Sequence, residues 1–593
     1  MPPENSSRRS SSATAGPIEI DDYPEPDPPN PAAIEAERRR TRNRTIILAV
    51  SSAVLIVTVS VFTKSGIFGG GDQNDAPPAQ PPIGQDRLNN SIMQSKIKAF
   101  CQLTEFQDTC LSTISRYTAK LKSDDPNVFL LQSTAASIEA VEEAYNYSVN
   151  VAKTVMDGRS RWAFKDCELL LNYTLLQLQA GDSGAEIVRA YEIPTKMTDL
   201  LSGLSAAVTY QQTCMDGFDV EMGDQTAEMM MIVTNATKLT RNILSVVSRI
   251  SMDEDLTRVI EGMDEDGGKP VWHMANGKAD VVVAKDGSGN YKTIREALEV
   301  AREKREGRFV IYVKDGVYEE NVKVTDEMNY ITMYGDGRDE TVVTGTRGFG
   351  DGITMYGTAT FVVSGMAFMA RDMGFQNIAG PEKAQAIALL VESDLSIFYN
   401  CRIDGYQNTL LAHTHRQFYR DCIISGTIDI ISGDAAAVFQ NCEIVAKKPL
   451  VGQQNTIMAQ ARVDPCQTTG FVVQNCTISA ANDLYPARDQ IRTFLGRPVK
   501  EYSRTVIMQS RIDDLISLEG WGPAGGEDKC EGKVYFAEFG NSGPGSGLKG
   551  RVTWQGFHVL DDVANVSRFT AGKFIQGKLW LNMTGVPFYT GVS

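Results

Sequence analysis

At 593 residues the chain is too long for one compact core, and two or more domains are expected. The apolar fraction of 42% is ordinary for folded protein. The formal charge of −16 argues against a general nucleic-acid binder, whose footprint is basic, but leaves room for an anionic substrate in a local basic groove.

Residues 1–44 are rich in Ser, Pro and Arg and are expected to form a disordered cytosolic tail. The stretch 45–62, "TIILAVSSAVLIVTVSVF", carries no charge over 18 residues. Arg38, Arg39, Arg40, Arg42 and Arg44 precede it and Lys64 follows. That asymmetry predicts a transmembrane segment with a cytosolic N-terminus. It lies too deep for an ordinary signal peptide and reads as an uncleaved signal anchor; the competing reading is a buried helix. The rest then meets the secretory lumen, in keeping with ten cysteines and with sequons at Asn89, Asn146, Asn172, Asn235, Asn475, Asn565 and Asn582.

Residues 63–94, with "GGGDQNDAPPAQPPIGQD", read as a linker. Residues 95–250 read as helical: Ile138, Val141, Tyr145, Val149 and Ala152 recur at spacings of three and four. Cys101, Cys110, Cys167 and Cys214 fall here, and a four-helix bundle tied by two disulfides is the simplest arrangement. Residues 251–278 are acidic and irregular, a second linker.

From Ala279 the texture changes to short β-rich runs with frequent Gly. "NCRI", "DCII", "NCEI" and "NCTI" start at Asn400, Asp421, Asn441 and Asn475, with a cysteine-free copy, "QNI", at Gln376. A period near 20 residues predicts a solenoid, and a right-handed parallel β-helix is the expected fold. Residues added before Cys476 are expected to bulge as a loop. Stacked coils place Cys401 over Cys422 and Cys442 over Cys476 within disulfide reach, the alternative being a ladder of free thiols in the core. "DGSGNYKT" at 286–293 lacks the spacing of a phosphate loop and reads as a turn entering the first coil.

Chemistry-bearing side chains cluster in successive repeats: Gln385, Gln407, Asn408 and Asp429. Paired carboxylates would support hydrolysis by nucleophile plus acid/base, and two amides could donate to an oxyanion. Structural Asn and Gln ladders are the competing reading. His413 and His415 are expected to be structural, since no Ser or Cys nucleophile motif accompanies them. Asp434, five residues past Asp429, is a further carboxylate that could act as an acid.

Residues 279–593 resemble a plant pectin methylesterase, through "GSGNYKTIREAL" (287–298), "GVYEE" (316–320), "GFQNIAGPEKAQAIAL" (374–389), "GYQNTL" (405–410), "RQFYRDC" (416–422), "GTIDIISG" (426–433), "LGRP" (495–498) and "NSGPGSG" (541–547). Residues 95–250 resemble the pectin methylesterase inhibitor domain, through the four cysteines, "KDCELL" (165–170) and "TCMDGF" (213–218). The resemblance implies hydrolysis of galacturonate methyl esters in cell-wall pectin without metal or cofactor. By position it implies Asp429 as nucleophile, Gln385 and Gln407 as oxyanion donors, and Arg497 as the residue that orients Asp429 and helps bind the uronate. The acid/base position is Asn408.

It also implies pairing of Cys101 with Cys110 and of Cys167 with Cys214. Other departures from the family pattern are Val499 for a stacking tryptophan, Met355 for a substrate-binding threonine, Ser432 and Asp434 within "IISGD", and Cys466, which with Cys530 falls outside the expected pairs. No dibasic processing signal occurs in 252–278, so the helical region is expected to stay attached. The implied partners are methylesterified pectin, the membrane through 45–62 and an intramolecular inhibitor domain, with no nucleic acid. The implied location is the secretory pathway to the cell wall. The alternative is a pectin-binding or inhibitor-type pseudoenzyme; a chain-cleaving lyase or hydrolase on a similar solenoid is disfavoured by the motifs.

Overall fold

The computed structural model describes residues 83–121, 125–155, 158–180, 194–218, 223–251, 279–303, 307–523 and 532–592. The tail, the apolar stretch 45–62, the linker 252–278 and Cys530 lie outside the described residues. Among the described residues no helix is long and apolar enough to cross a membrane. Ile92–Ser593 form one compact unit.

Among the described residues six helices come first: α1 (Ile83–Cys101), α2 (Gln107–Leu121), α3 (Pro126–Ala152), α4 (Gly158–Ala180), α5 (Pro194–Asp216) and α6 (Asp224–Ser251). α1 begins inside the stretch read as linker. α3 shows why the sequence is helical. Asp125 accepts from the Asn127 amide at its N-cap, Pro126 occupies the first turn, and small or apolar residues recur on one face. The buried stripe runs through Ser137, Ala140, Val141, Ala144, Ser148 and Val151. Ile138 and Tyr145, expected on that face, sit at its half-buried edge. α3 to α6 form a four-helix core. Cys101–Cys110 joins the end of α1 to the start of α2, and Cys167–Cys214 clamps α4 to α5, the pairing that the resemblance implied.

The β-region coils through three parallel sheets of 11, 7 and 8 strands. The central coils each add a strand to all three sheets, with registers such as Leu389↔Leu410, Ile403↔Ile424 and Tyr419↔Phe439. The expected parallel β-helix is therefore present. Equivalent residues stack inside it, and the rings of Phe398, Tyr419 and Phe439 lie nearly parallel, 5.2 and 4.7 Å apart. The first coil is entered through the turn at 286–293. There the Glu296 carboxylate accepts the Thr293 amide, and the Thr293 hydroxyl accepts the Glu296 amide, capping helix α7 (Ile294–Glu303).

The repeated Asn/Asp–Cys pair has a backbone cause. Asn400, Asp421, Asn441 and Asn475 all adopt left-handed conformation, with φ between 52° and 55°, which Asn and Asp tolerate better than other side chains. Each turns the chain between two sheets and aims the following cysteine inward. Those cysteines correct the disulfide expectation: Cys401, Cys422, Cys442 and Cys476 are free and at most 2% exposed. Parallel strands point equivalent Cβ atoms the same way at about 4.8 Å, wider than the 3.5–4.5 Å a disulfide takes. The thiols bond carbonyls instead, as from Cys422 Sγ to Phe398 O at 3.3 Å. The residues added before Cys476 are divided between two loops, 447–454 and 461–469, rather than forming one bulge.

Candidate active site

Strand register assembles the site. Leu410 pairs with Ile431, so Asn408 and Asp429, each two residues earlier, stand on neighbouring coils. Both are left-handed, with φ of 57° and 53°, and both are nearly buried, 6% and 5% exposed. Gln385 and Gln407 pair as a parallel bridge on the adjoining coils. Gln385 Oε1 is buried with no hydrogen-bond partner.

Arg497 comes from the strand Thr493–Pro498, and its guanidinium grips the Asp429 carboxylate from two sides. Nε donates to Oδ1 at 2.8 Å and Nη2 to Oδ2 at 2.5 Å. Burial opposes the Arg497 charge, but the Asp429 pair outweighs it and holds the guanidinium above its ordinary value. One carboxylate is thus held in a fixed orientation. The Asn408 amide donates to Ser432 Oγ at 3.0 Å, so two of the departing residues contact each other. The structure brings together Gln385, Gln407, Asn408, Asp429 and Arg497.

Two further positions make contacts of other kinds. Val499 follows the Arg497 strand, with its amide bonded to Gln460 O at 3.1 Å. Met355 packs against the helical core. Asp434 is unavailable as a substitute acid, because four donors already engage its oxygens: Thr209 Oγ1 at 2.7 Å, Gln467 Nε2 at 2.6 Å, Gln460 Nε2 at 2.9 Å and Thr469 Oγ1 at 2.6 Å. His413 sits between Glu392 Oε2 at 3.1 Å and Thr213 Oγ1 at 2.8 Å, and His415 lies 3.4 Å from Ser202 Oγ, placements that match the structural reading. Cys466 is free and half-buried, its Sγ 4.0 Å from Ser245 Oγ. Among the described residues no group of His, Cys, Asp or Glu is placed to hold a metal ion.

Sequence reasoning missed the residues that dock the helices beside this site. α5 meets the β-helix through Ser202, Thr209, Tyr210 and Thr213, and Lys500, three residues past Arg497, pairs with Asp216 at 2.7 Å. The stripe Ser202, Ser205, Thr209, Thr213, Asp216 has helical spacing, which was the signal available. From α4, Asp166 accepts from Thr354, and Tyr173 donates to Ser364 at 3.2 Å.

A pinned carboxylate with adjacent amide donors on a parallel β-helix defines a carboxylic ester hydrolase scaffold. The pectinesterase family model matches residues 280–578, and that for plant invertase/pectin methylesterase inhibitor matches 95–246. A putative pectinesterase/pectinesterase inhibitor 28 of Arabidopsis thaliana is 37% identical, over 92% of this chain and 75% of its own. Pectinesterase 1 of Citrus sinensis is 39% identical, over 84% of this chain and 88% of its own. The solved pectin methylesterase from carrot is 47% identical, with a TM-score of 0.52, covering 53% of this chain and 98% of its own. The chain belongs to the pectinesterase family and carries an N-terminal inhibitor-like domain.

Proposed function

We propose that the protein hydrolyses methyl esters of galacturonate in cell-wall pectin, with Asp429 as nucleophile. The bidentate Arg497–Asp429 pair beside the Gln385–Gln407 bridge carries this reading. An Asp429 oxygen attacks the ester carbonyl, and the carbonyl oxygen gains a negative charge that the Gln385 and Gln407 amides stabilise by donating hydrogen bonds. The C–OCH3 bond then breaks, methoxide takes a proton from solvent and leaves as methanol, and water hydrolyses the acyl–Asp429 anhydride to release the uronate and regenerate the Asp429 carboxylate. Asn408 stands where an acid would supply that proton and later take one from water. An amide does neither, and loss of general acid/base work slows such steps by roughly 10²–10⁴-fold. Turnover is therefore slow, with solvent as the proton donor.

The Asn408–Ser432 contact favours a second reading, a pectin-binding pseudoenzyme on an intact scaffold. In either case the protein works on the secretory route to the cell wall, with the stretch 45–62 as its membrane anchor. Methanol release from highly methylated pectin by the region after Phe62 separates the two. Slow release abolished by Asp429→Ala supports the esterase. A silent protein awakened by Asn408→Asp supports the pseudoenzyme.

A further inference from the structure

We propose that Arg504, Arg462 and Arg568 form a binding site for a small oxyanion, a carboxylate or a phosphate, at the corner where the chain leaves the seven-stranded sheet for the eleven-stranded one. Asp429 stands at the other corner, where the chain enters the seven-stranded sheet. The site is therefore separate from the groove around Asp429 and does not depend on turnover.

Arg504 opens the strand Arg504–Met508. Its side chain leaves the sheet on the same face as Val506, two residues on, which packs with Val566 and Phe569 of the C-terminal segment. Tyr535 is its register partner on one side. Gly470, one residue before the Phe471↔Thr505 pair, flanks it on the other. A Cβ at position 470 would lie 2.9 Å from Arg504 Cδ, so glycine is what lets the arginine stem cross the neighbouring strand. Ala436, next in that row, keeps the floor low. Arg568 reaches in from the C-terminal segment. Its Nη2 donates to the Tyr535 hydroxyl at 2.9 Å, and its guanidinium lies 5.2 Å from the centre of the Tyr535 ring.

The charges at this corner lack the partners that other buried arginines have. Arg416, Arg497 and Arg551 each meet a carboxylate. Among the described residues the Arg504 guanidinium has no hydrogen bond or ion pair, and only its backbone amide is engaged, by Gln460 Oε1 at 2.7 Å. Arg462, 6% exposed, gives its donors to the carbonyls of Gln467, at 3.1 Å, and Pro465. The carboxylates nearby are committed, Asp434 to its four donors and Asp464 to Arg241 at 2.7 Å. Burial, and then the like charges of Arg462 and Arg568, hold Arg504 well below the ordinary arginine value, while Asp434 and Tyr535 pull the other way. Three guanidiniums converging on a half-buried corner repel one another. A planar fork with free donors takes a carboxylate or phosphate two oxygens at a time. A bound oxyanion supplies the negative charge that the fold leaves out.

The test titrates the region after Phe62, in low-salt buffer free of carboxylate and phosphate, with inorganic phosphate and separately with galacturonate. Calorimetry should show one saturable site for at least one probe, with a dissociation constant on the order of a millimolar. Arg504→Met keeps the stem over Gly470 and removes the fork, and should weaken binding roughly ten- to hundredfold. Arg568→Gln, at the exposed rim, should weaken it roughly two- to fivefold. Arg497→Gln should leave it unchanged, which separates this corner from the Asp429 groove. Without anion, Arg504→Met should unfold no earlier than the unsubstituted protein, because it removes repulsion rather than a pair. A probe at ten times its dissociation constant should raise the midpoint of the unsubstituted protein by about 2 °C and leave that variant unmoved. Absence of saturable binding for both probes would overturn the proposal. So would equal binding by Arg504→Met, or loss of binding in Arg497→Gln. If Arg504→Met does not fold, unchanged binding by Arg568→Gln overturns it alone. Binding of phosphate but not galacturonate assigns the site to a tetrahedral oxyanion, and the reverse assigns it to a uronate. Both readouts work in a protein that releases no methanol.

Discussion

Asn408 and Asp429 share a backbone conformation, stand on neighbouring coils and differ by one ionisable group. Asn408→Asp is therefore a nearly isosteric change that puts a titratable proton beside the carboxylate proposed as nucleophile. Methanol release is expected to rise roughly 10²–10⁴-fold, with a pH–rate profile gaining one ionisation. Arg497 tests the proposed role of Asp429 from the other side. Arg497→Lys keeps the charge and loses the planar fork that holds both Asp429 oxygens. Steady-state kinetics on the Asn408→Asp background should show kcat reduced more than KM is raised, because orientation of the attacking oxygen is what is lost.

At the scale of elements, the thiol ladder and the helical disulfides make opposite predictions. Alkylation without reduction should leave Cys401, Cys422, Cys442 and Cys476 unmodified in the folded protein and label all four in denaturant, as read by mass spectrometry. Cys101, Cys110, Cys167 and Cys214 should be labelled only after reduction. The Cys167–Cys214 bridge closes a segment of sequence separation 47. Replacing both with Ala is expected to destabilise the helical domain by about 2–5 kcal/mol, visible as a lowered denaturation midpoint.

At the scale of the whole molecule, three groups buried at or beside the interdomain contact couple its stability to pH. Burial pushes the Asp394 carboxyl up, but Arg416 and His415 outweigh it and hold it at about 2. Its contribution is present above about pH 3.9 and drains away as the pH falls through about 2. Burial holds His415 below its ordinary value, against the pull of Asp394 and Glu392 and with the push of Arg416 and His413. From α5 it is faced by Ser202 and the Tyr210 ring, with Asp199 reaching the same Arg416. Its contribution is present above about pH 6.5 and lost as the pH falls through the lowered value. Asp434 works the other way: burial raises its carboxyl, so its contribution is present below about pH 3.9 and lost as the pH rises through the raised value. Thermal unfolding should therefore show a midpoint that falls on acidification from neutral pH. His415→Asn should flatten the decline just below about pH 6.5, and Asp434→Asn should steepen the decline at lower pH.

Local rules determined much of this protein directly from its sequence. An Asn or Asp tolerates the left-handed turn, so a repeat of that residue followed by cysteine marks each coil, and strand periodicity fixes which residues face inward. Stacking of successive coils followed from the same repeat, and that alone puts Gln385, Gln407, Asn408 and Asp429 in neighbouring turns. Only the tertiary structure decided what depends on directions and on distant partners. Whether stacked cysteines bond turns on the angle between their Cβ vectors, which a repeat length does not contain. Asp434 looked like a spare acid because nothing within its coil shows that Thr209, 225 residues earlier, takes one of its oxygens. The aliphatic outer row of the seven-stranded sheet reads like any strand until the helices that cover it are in place. Contacts of that kind are set by the complementarity of two folded surfaces, and sequence spacing carries no record of it.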